Sequence, residues 1–288
     1  MKRLLYIIIG IAVSLTTKAV GLGEVKYLPQ DSVTICQLLT EVQRQASTAC
    51  LPLFFAQKFI GRPYVASTLE GDKRERLVVN TRQLDCTTLV ETVTALTLCN
   101  HQGKTRWTDY LDQLRTLRYR QGRLDGYTSR LHYFTDWIAD KQLMGLVAEV
   151  QQPNPPFTAV QHVKADFMSQ HPEYYKALKA HPEWVPIIRQ QEQVLTGRTY
   201  RYIPKQEVRN NRLLRQTIQD GDIIAITCNK PGLEIAHLGF AVWQKDGLHL
   251  LNASQLHHKV VTEPMTLRQY LYKHKTHTGI RIVRIKTK

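Results

Sequence analysis

The last third of the chain restricts the fold most, because it consists of short β-rich runs separated by turn signals. The turn signals stand at Pro231-Gly232 and at Asp246-Gly247. We predict strands at residues 222–227, 237–243, 248–252 and 280–285. Most of the chain before them has helical periodicity. We therefore predict an α+β fold in which a helix-rich first part packs on a five- to six-stranded antiparallel sheet.

Helical spacing of apolar residues recurs through the first two thirds of the chain. It predicts helices at residues 31–46, 51–60, 107–117, 131–143, 164–180 and 183–195, with one more at 266–272. Extended chain is expected at 76–80 and 200–205. The run QQPNPPF at 151–157 interrupts the helical pattern, because consecutive prolines continue neither a helix nor a central strand.

The segment QLDCTTLVETVTALTLC at 83–99 predicts a helix with one buried stripe and with Cys86 in its first turn. Free backbone N–H groups and the helix dipole favour a thiolate at that position, and the thiolate is the nucleophile of cysteine chemistry. The alternative is a small buried thiol without chemical function. Cys86 is therefore a candidate nucleophile.

Residues 1–19 have the pattern of a secretory signal peptide. Lys2 and Arg3 precede an apolar run at 4–15, and small residues lead to a cleavage site after Ala19. An uncleaved anchor is the alternative. Cysteine is absent from the positions just behind this run, so a lipid anchor is not expected. We expect an exported, periplasmic protein without stable membrane insertion once the signal is cleaved.

The chain is strongly basic, with a formal net charge of +15. Such a charge draws a protein toward anionic partners such as cell-wall polymers, lipid headgroups or nucleic acid. The lysines and arginines are scattered, without an aromatic-interleaved nucleic-acid motif. We therefore expect no nucleic-acid partner.

The five cysteines are an odd number for a protein expected outside the cytoplasm, so at least one thiol stays free unless chains cross-link. Cys36 and Cys50 are close enough in sequence to pair, but the sequence leaves the pairing of these two, Cys99 and Cys228 open. The chain has neither a CxxC motif nor a histidine-rich tract, so we expect no metal and no cofactor.

An imidazole and an amide are expected close together in the predicted sheet. His237 opens one strand and Asn252 closes the next, and a hairpin at Asp246-Gly247 would place them side by side. A cysteine amidase needs a thiol, an imidazole and a polar group that holds the imidazole. An ordinary strand-end histidine and a turn asparagine are the alternative. Cys86, His237 and Asn252 are thus candidate catalytic residues.

Four short motifs occur in a recognisable order. They are DC (85–86), GDII (221–224), HLGF (237–240) and NAS (252–254), with GRPY at 61–64 ahead of them. In this order they resemble the NlpC/P60 superfamily of papain-like cell-wall hydrolases. Asn252 stands where many members have His, and the spacing between Cys86 and His237 is unusually long.

The long spacing and the segments PYVASTLE, SRLHYFTDWI, YIPK and NKPGLEIAHLG resemble one branch, DUF1460, which is described as N-acetylmuramoyl-L-alanine amidase-like. The resemblance implies a single NlpC/P60-like domain at 20–288 with a large helical insertion at about 100–215. It also implies hydrolysis of the amide between the lactyl group of N-acetylmuramic acid and L-alanine. Released anhydro-muropeptides are the expected substrate, and the protein is expected to be a monomer.

The resemblance also suggests roles around the thiol. The Tyr64 hydroxyl and the Cys86 backbone N–H are candidate oxyanion donors. Asp85 faces the substrate or caps the helix. Ser129, Arg130 and His132 bind substrate or form a helix cap and a surface face. The candidate substrate-binding residues are Asp85, Thr68, Glu91, Ser129, Arg130, His132 and Tyr202.

Other functions fit the same motifs. A stem-peptide endopeptidase cutting between D-glutamate and the diamino acid would use the same three catalytic residues. A lipid acyltransferase is a further enzymatic alternative. A wall-binding scaffold that retains the fold without activity is the non-enzymatic one.

Overall fold

The computed structural model describes residues 22–43, 50–71 and 74–286. The predicted signal peptide at 1–19 lies outside these residues. Among the helices that are described, none is both long and apolar enough to cross a membrane. Each of the five cysteines is a free thiol, so Cys36 and Cys50 are not paired.

The described chain has ten α-helices, of which eight lie in its first two thirds, mostly close to the predicted positions. They are α1 (Pro29–Gln43), α2 (Leu51–Gln57), α3 (Cys86–His101), α4 (Trp107–Arg118), α5 (Phe134–Leu143), α6 (Phe167–Gln170), α7 (Lys176–Ala180), α8 (Val185–Leu195), α9 (Arg212–Thr217) and α10 (Leu267–Lys273). The predicted helix at 164–180 is broken into short pieces, because prolines follow His171 and His181 and interrupt the backbone ladder.

Strands form one large sheet and one short pair. They are β1 (Val25–Lys26), β2 (Leu77–Val78), β3 (Val147–Val150), β4 (Ala159–His162), β5 (Thr199–Pro204), β6 (Ile223–Cys228), β7 (Ile235–Trp243), β8 (Leu248–Ser254), β9 (Lys259–Thr262) and β10 (His277–Ile285). β1 and β2 pair in parallel, whereas every pair in the large sheet is antiparallel.

The large sheet has eight strands, so the predicted number of five to six is too small. Its order is β4-β5-β10-β6-β7-β8-β9, and β3 pairs with the second half of β10 beside β5. β3, β4 and β9 are only four residues long, too short for their alternation to stand out in the sequence. Three of the eight strands, β3 to β5, come from the segment at 100–215. The insertion therefore contains strands as well as helices, and β5 lies where extended chain was predicted at 200–205.

Both faces of the sheet are covered by helices. In β6, Ile223 and Ala225 belong to the core that includes α1 to α4, whereas Ile224 and Ile226 belong to the core formed with α9 and α10. Alternate residues of a strand point to opposite faces, so every residue of β6 is buried. A smaller core joins α6, α7 and α8 to Tyr133.

α3 lies at the centre of the larger core, against α1, α2 and α4 and against β7 and β8 of the sheet. Its residues from Thr88 to Cys99 are all buried, so the prediction of a single buried stripe is wrong. Neighbours on every side explain this burial. Thr97, for example, satisfies its hydroxyl within the helix by donating to the Val93 carbonyl at 2.8 Å. The first residue of this central helix is Cys86.

Candidate active site

Asp85 caps α3 and thereby fixes the position at which Cys86 begins the helix. Its Oδ1 accepts a hydrogen bond from the Thr88 backbone N–H at 2.8 Å, and the Asp85 N–H donates to Thr88 Oγ1 at 2.9 Å. This reciprocal pair is a capping box. Of the two roles weighed for Asp85, the structure displays the helix cap. The carboxylate also places a negative charge beside the thiol.

Cys86 and His237 line one cavity of about 180 Å³. The remaining lining residues are Thr87, His132, Tyr133, Phe134, Met168, Tyr175, Leu233, Glu234, Ile235, Ala236 and Leu238. The wall therefore combines the start of α3, the start of β7 and parts of the insertion. Cys86 and His237, 151 positions apart in the sequence, therefore line the same cavity.

The protonation state of Cys86 differs from the one expected at a helix N-terminus. Burial, with a smaller contribution from the Asp85 charge, raises the pKa of the Cys86 thiol to about 12, although hydrogen bonding at Leu238 and Thr87 opposes the shift. Burial also lowers the pKa of His237. At neutral pH the pair therefore rests as a neutral thiol and a neutral imidazole, and the thiolate forms only when the proton moves.

The predicted hairpin between His237 and Asn252 is confirmed. β7 and β8 pair with Phe240 opposite Leu251, which brings the two polar side chains together. His237 Nε2 lies 2.9 Å from Asn252 Oδ1, and Asn252 is fully buried. The amide is thus held against one edge of the imidazole ring.

A carboxylate that the sequence analysis missed lies behind Asn252. Asn252 Nδ2 donates to Glu263 Oε1 at 3.0 Å, and His257 Nε2 lies 3.0 Å from the other carboxylate oxygen. Glu263 follows β9, a strand the sequence did not reveal, so its sequence neighbourhood gave no signal. A row of hydrogen-bonded groups therefore extends from His237 through Asn252 and Glu263 to His257.

Tyr64 lies outside the lining of the cavity, in a segment that pairs with Leu84 shortly before Cys86. Its backbone N–H donates to the His258 carbonyl at 2.9 Å, and its side chain packs in the same core as Cys86. Burial, with smaller effects from the charges of Cys86 and Asp85, raises the pKa of Tyr64 to about 12. The hydroxyl stays protonated at neutral pH and can donate a hydrogen bond.

Of the three polar residues at 129–132, His132 alone lines the cavity. Its Nε2 lies 3.1 Å from the Tyr127 carbonyl, and burial lowers the pKa of its imidazole to about 3. Ser129 Oγ closes a turn by donating to the Gly126 carbonyl at 2.7 Å. Arg130 is 5% exposed and pairs with Glu70 at 2.7 Å. Ser129 and Arg130 thus support the loop that carries His132.

Glu91, Thr68 and Tyr202 lie outside the lining of this cavity. Glu91 is 2% exposed and accepts from Arg118 Nε at 2.7 Å in the protein core. A substrate cannot reach it, so its expected binding role is replaced by a core ion pair. Thr68 lies in a turn after Tyr64, with a buried hydroxyl that lacks a partner among the described residues. Tyr202 lies on β5 opposite Ala159.

Aromatic and apolar residues of the cavity wall were missed by sequence reasoning. Tyr133 is fixed because its hydroxyl donates to Glu192 Oε1 at 2.7 Å and accepts from the Met168 N–H at 3.1 Å. Its place directly after His132 in the segment SRLHYF was the available signal. Within the described residues, no group of three or more His, Cys, Asp or Glu side chains could hold a metal ion.

One family model matches residues 54–280, and its description is AmiA-like, N-acetylmuramoyl-L-alanine amidase-like. No curated protein matches the chain. The family match covers the segment that contains Cys86, His237, Asn252 and Glu263.

Three solved structures are similar. An N-acetylmuramoyl-L-alanine amidase from Bacteroides uniformis is 41% identical with a TM-score of 0.76, over 82% of this chain and 97% of that one. A Bacteroides fragilis protein described as a candidate xylanase is 40% identical with a TM-score of 0.75, over 80% and 99%. Protein LPG0564 from Legionella pneumophila, described with the DUF1460 family, shares the fold at 22% identity and a TM-score of 0.69, over 89% and 94%.

Proposed function

The chain belongs to the N-acetylmuramoyl-L-alanine amidase-like family, DUF1460, and on that basis we propose that it is a cysteine amidase acting on peptidoglycan fragments. The bond cut joins the lactyl group of N-acetylmuramic acid to the L-alanine of the stem peptide. One observation carries the proposal: Cys86 and His237 line one cavity, and Asn252 holds the His237 ring at 2.9 Å. A nucleophile, a base and an orienting group are thus assembled.

The acylation step uses each of these groups. The Cys86 proton passes to the His237 imidazole as the sulfur attacks the lactyl carbonyl carbon, and the carbonyl oxygen becomes an oxyanion. The Cys86 backbone N–H and the Tyr64 hydroxyl donate to that oxyanion. The imidazolium then gives its proton to the L-alanine nitrogen, the C–N bond breaks, and the freed peptide leaves a thioester on Cys86.

Deacylation uses the same groups, with water as the nucleophile and Cys86 as the leaving group. His237 takes a proton from a water molecule as the water oxygen attacks the thioester carbonyl. The C–S bond breaks and Cys86 regains the proton from the imidazolium. The lactyl carboxylic acid left on the sugar releases its remaining proton to solvent and becomes a carboxylate. Asn252 keeps the ring orientation throughout, because the Nε2 proton stays on the histidine.

The same proposal includes the substrate, the fold of the core, the location and the oligomeric state. The substrate in this proposal is a released anhydro-muropeptide, for which Tyr133, Phe134 and Tyr175 offer aromatic surface in the cavity wall. The order of a cysteine-bearing helix followed by antiparallel strands with His237 and Asn252 supports a papain-like NlpC/P60 core. We also propose that the protein is exported to the periplasm and acts as a monomer.

A glycosidase, the activity in the description of the Bacteroides fragilis protein, would need two carboxyl groups flanking the scissile bond. The carboxylates near the thiol and the imidazole are engaged within the protein. Glu234, in the cavity wall, accepts from the Thr135 and Ile235 backbone N–H groups. Asp85 caps α3, and Glu263 is fully buried between Asn252 and His257. The geometry therefore favours amide hydrolysis by the thiol.

Mass spectrometry of products tests the proposal. The mature protein and Cys86→Ala are each incubated with a defined anhydro-disaccharide tetrapeptide. Free disaccharide together with an intact peptide beginning at L-alanine, absent with the variant, is the expected result. A disaccharide that still carries L-Ala-D-Glu would instead identify the endopeptidase alternative. Absence of any cleavage would favour the wall-binding scaffold.

A further inference from the structure

Glu263 is held rigidly at the end of the hydrogen-bonded row that begins at His237. It is fully buried directly after β9. Its backbone N–H donates to the Leu250 carbonyl at 2.8 Å, and its own carbonyl lies 2.8 Å from His249 Nδ1. Both carboxylate oxygens are also engaged, so four hydrogen bonds hold Glu263 in place.

This fixed carboxylate, at 3.0 Å, is the nearer of two acceptors for Asn252 Nδ2 and sets which way the amide points; the Leu250 carbonyl lies farther away, at 3.4 Å. The oxygen and the NH₂ group of an asparagine have nearly the same shape, so the hydrogen-bond partners decide their places. An amide NH₂ group only donates hydrogen bonds, and a carboxylate oxygen accepts them. Nδ2 must therefore face Glu263, at 3.0 Å, and Oδ1 must face His237, at 2.9 Å.

The amide orientation in turn determines the tautomer of the catalytic imidazole. Asn252 Oδ1 is an acceptor, so His237 Nε2 must carry a proton in order to bond with it. In a neutral imidazole the other nitrogen, Nδ1, then holds the lone pair. This is the nitrogen that can take the Cys86 proton.

We propose that Glu263 is a positioning residue, which fixes the Asn252 amide and through it keeps the lone pair of His237 on the nitrogen that receives the Cys86 proton. The role rests on the proposed cysteine mechanism. When the proton moves from sulfur to Nδ1, the imidazolium carries a proton on each nitrogen, and no proton passes to Asn252 or Glu263.

Two substitutions at Glu263 separate this role from simple packing. Glu263→Leu removes both acceptors, so the Asn252 amide loses its fixed orientation and the wrong tautomer becomes accessible. A wrong tautomer costs about 10⁴-fold in the serine protease triad, and we expect kcat to fall about 100-fold here because the ring is only partly misdirected. KM should change less than about threefold, since the buried Glu263 lies beyond the reach of a substrate.

Glu263→Gln is the conservative partner variant. Its side-chain oxygen can still accept from Asn252 Nδ2 while its NH₂ group turns to His257, so kcat should recover to within about tenfold of the wild-type value. Asp222→Asn is the control. It removes another buried carboxylate, which pairs with Arg284. Asp222 directly precedes β6, whereas His237 lies opposite Ile226 farther along that strand.

A charge exchange gives an independent test if Glu263→Leu folds poorly by circular dichroism. Asn252→Asp alone places two carboxylates about 3 Å apart, and they cannot both ionise without strong repulsion. Its kcat at pH 8 should fall about 100-fold. The double variant N252D/E263Q restores a complementary amide and carboxylate with their places exchanged. Its kcat should therefore be at least about tenfold higher than that of Asn252→Asp.

The tautomer of His237 is measured by NMR of protein labelled with ¹⁵N-histidine, which distinguishes a proton on Nε2 from one on Nδ1. Wild type and Glu263→Gln should show His237 protonated on Nε2, and Glu263→Leu should show a mixture. Equal kcat for Glu263→Leu and Asp222→Asn, an unchanged tautomer in Glu263→Leu, or a double variant no better than Asn252→Asp would overturn the proposal. A wild-type enzyme that cleaves no muropeptide would refute the proposed function, and the NMR result would then decide the positioning role alone.

Discussion

Replacement of Glu91 by glutamine should destabilise the protein without changing substrate binding. Glu91 accepts from Arg118 Nε at 2.7 Å inside the core, and the two side chains are 2% and 3% exposed. Glutamine keeps the shape and an acceptor but leaves the Arg118 charge without a counter-ion. Loss of one partner of a buried ion pair typically costs about 3–5 kcal/mol. Because Arg118 also donates to the Val78 carbonyl, we expect the lower end, about 3 kcal/mol.

Urea denaturation followed by circular dichroism measures this loss. With a slope near 3 kcal/mol/M, the unfolding midpoint of Glu91→Gln should fall by about 1 M. Glu41→Gln is the matched control, because Glu41 pairs with Lys58 at the surface, with 42% of its side chain exposed. Exposed pairs contribute less than about 1 kcal/mol, so its midpoint should move little.

The double variant E91L/R118M completes the test. Apolar side chains of similar volume remove both charges together, so its stability should lie well above that of Glu91→Gln. The reasoning is refuted if Glu91→Gln is as stable as Glu41→Gln. It is equally refuted if Glu91→Gln raises KM at unchanged stability, since that result would return Glu91 to substrate binding.

Four further outcomes are expected. Because the pKa of Cys86 is raised to about 12, its iodoacetamide labelling should be slow at pH 7 and keep rising beyond pH 9, and a plateau below pH 7 would contradict the neutral resting thiol. Asp85→Asn should speed labelling, because it keeps the cap but removes the charge. Tyr64→Phe should lower kcat/KM about 100-fold at unchanged fold if its hydroxyl serves the oxyanion, a loss that steady-state kinetics will measure. Gly239→Ala should lower the free energy of unfolding in urea by about 1–3 kcal/mol, because its Cβ would lie 2.7 Å from the Leu251 carbonyl oxygen in the adjacent strand.

Local patterns were sufficient to predict the parts of the fold that depend on neighbours in the sequence. The helix beginning at Cys86 and the hairpin that joins His237 to Asn252 follow from periodicity and from one turn signal. Periodicity also gave six of the larger helices to within a few residues at most ends, except where prolines break the segment at 164–180. The α+β class follows from these elements.

The remainder depends on contacts between distant segments. Glu91 looked like a polar residue on a helix near the thiol, and Arg118, 27 positions later, turns it into a core ion pair. Glu263 is positioned by β9, a strand of four residues in which apolar and polar side chains do not clearly alternate. The thiol pKa likewise depends on burial by the sheet and the insertion, which the helix alone could not indicate. The roles of the predicted site residues remain predictions for the variants above to test.

The segment at 61–64 also closes an edge of the sheet. β9 is the last strand in the order, and its outer side exchanges hydrogen bonds with this segment: the Gly61 N–H donates to the Val260 carbonyl and the Val260 N–H to the Arg62 carbonyl, each at 2.8 Å. An open edge of this kind is a template for pairing with another chain. Pro63 lies opposite Lys259 and has no N–H to offer a further strand. The residues that bring Tyr64 to the thiol therefore also discourage self-association, and substitutions at Pro63 should be judged by aggregation as well as by activity.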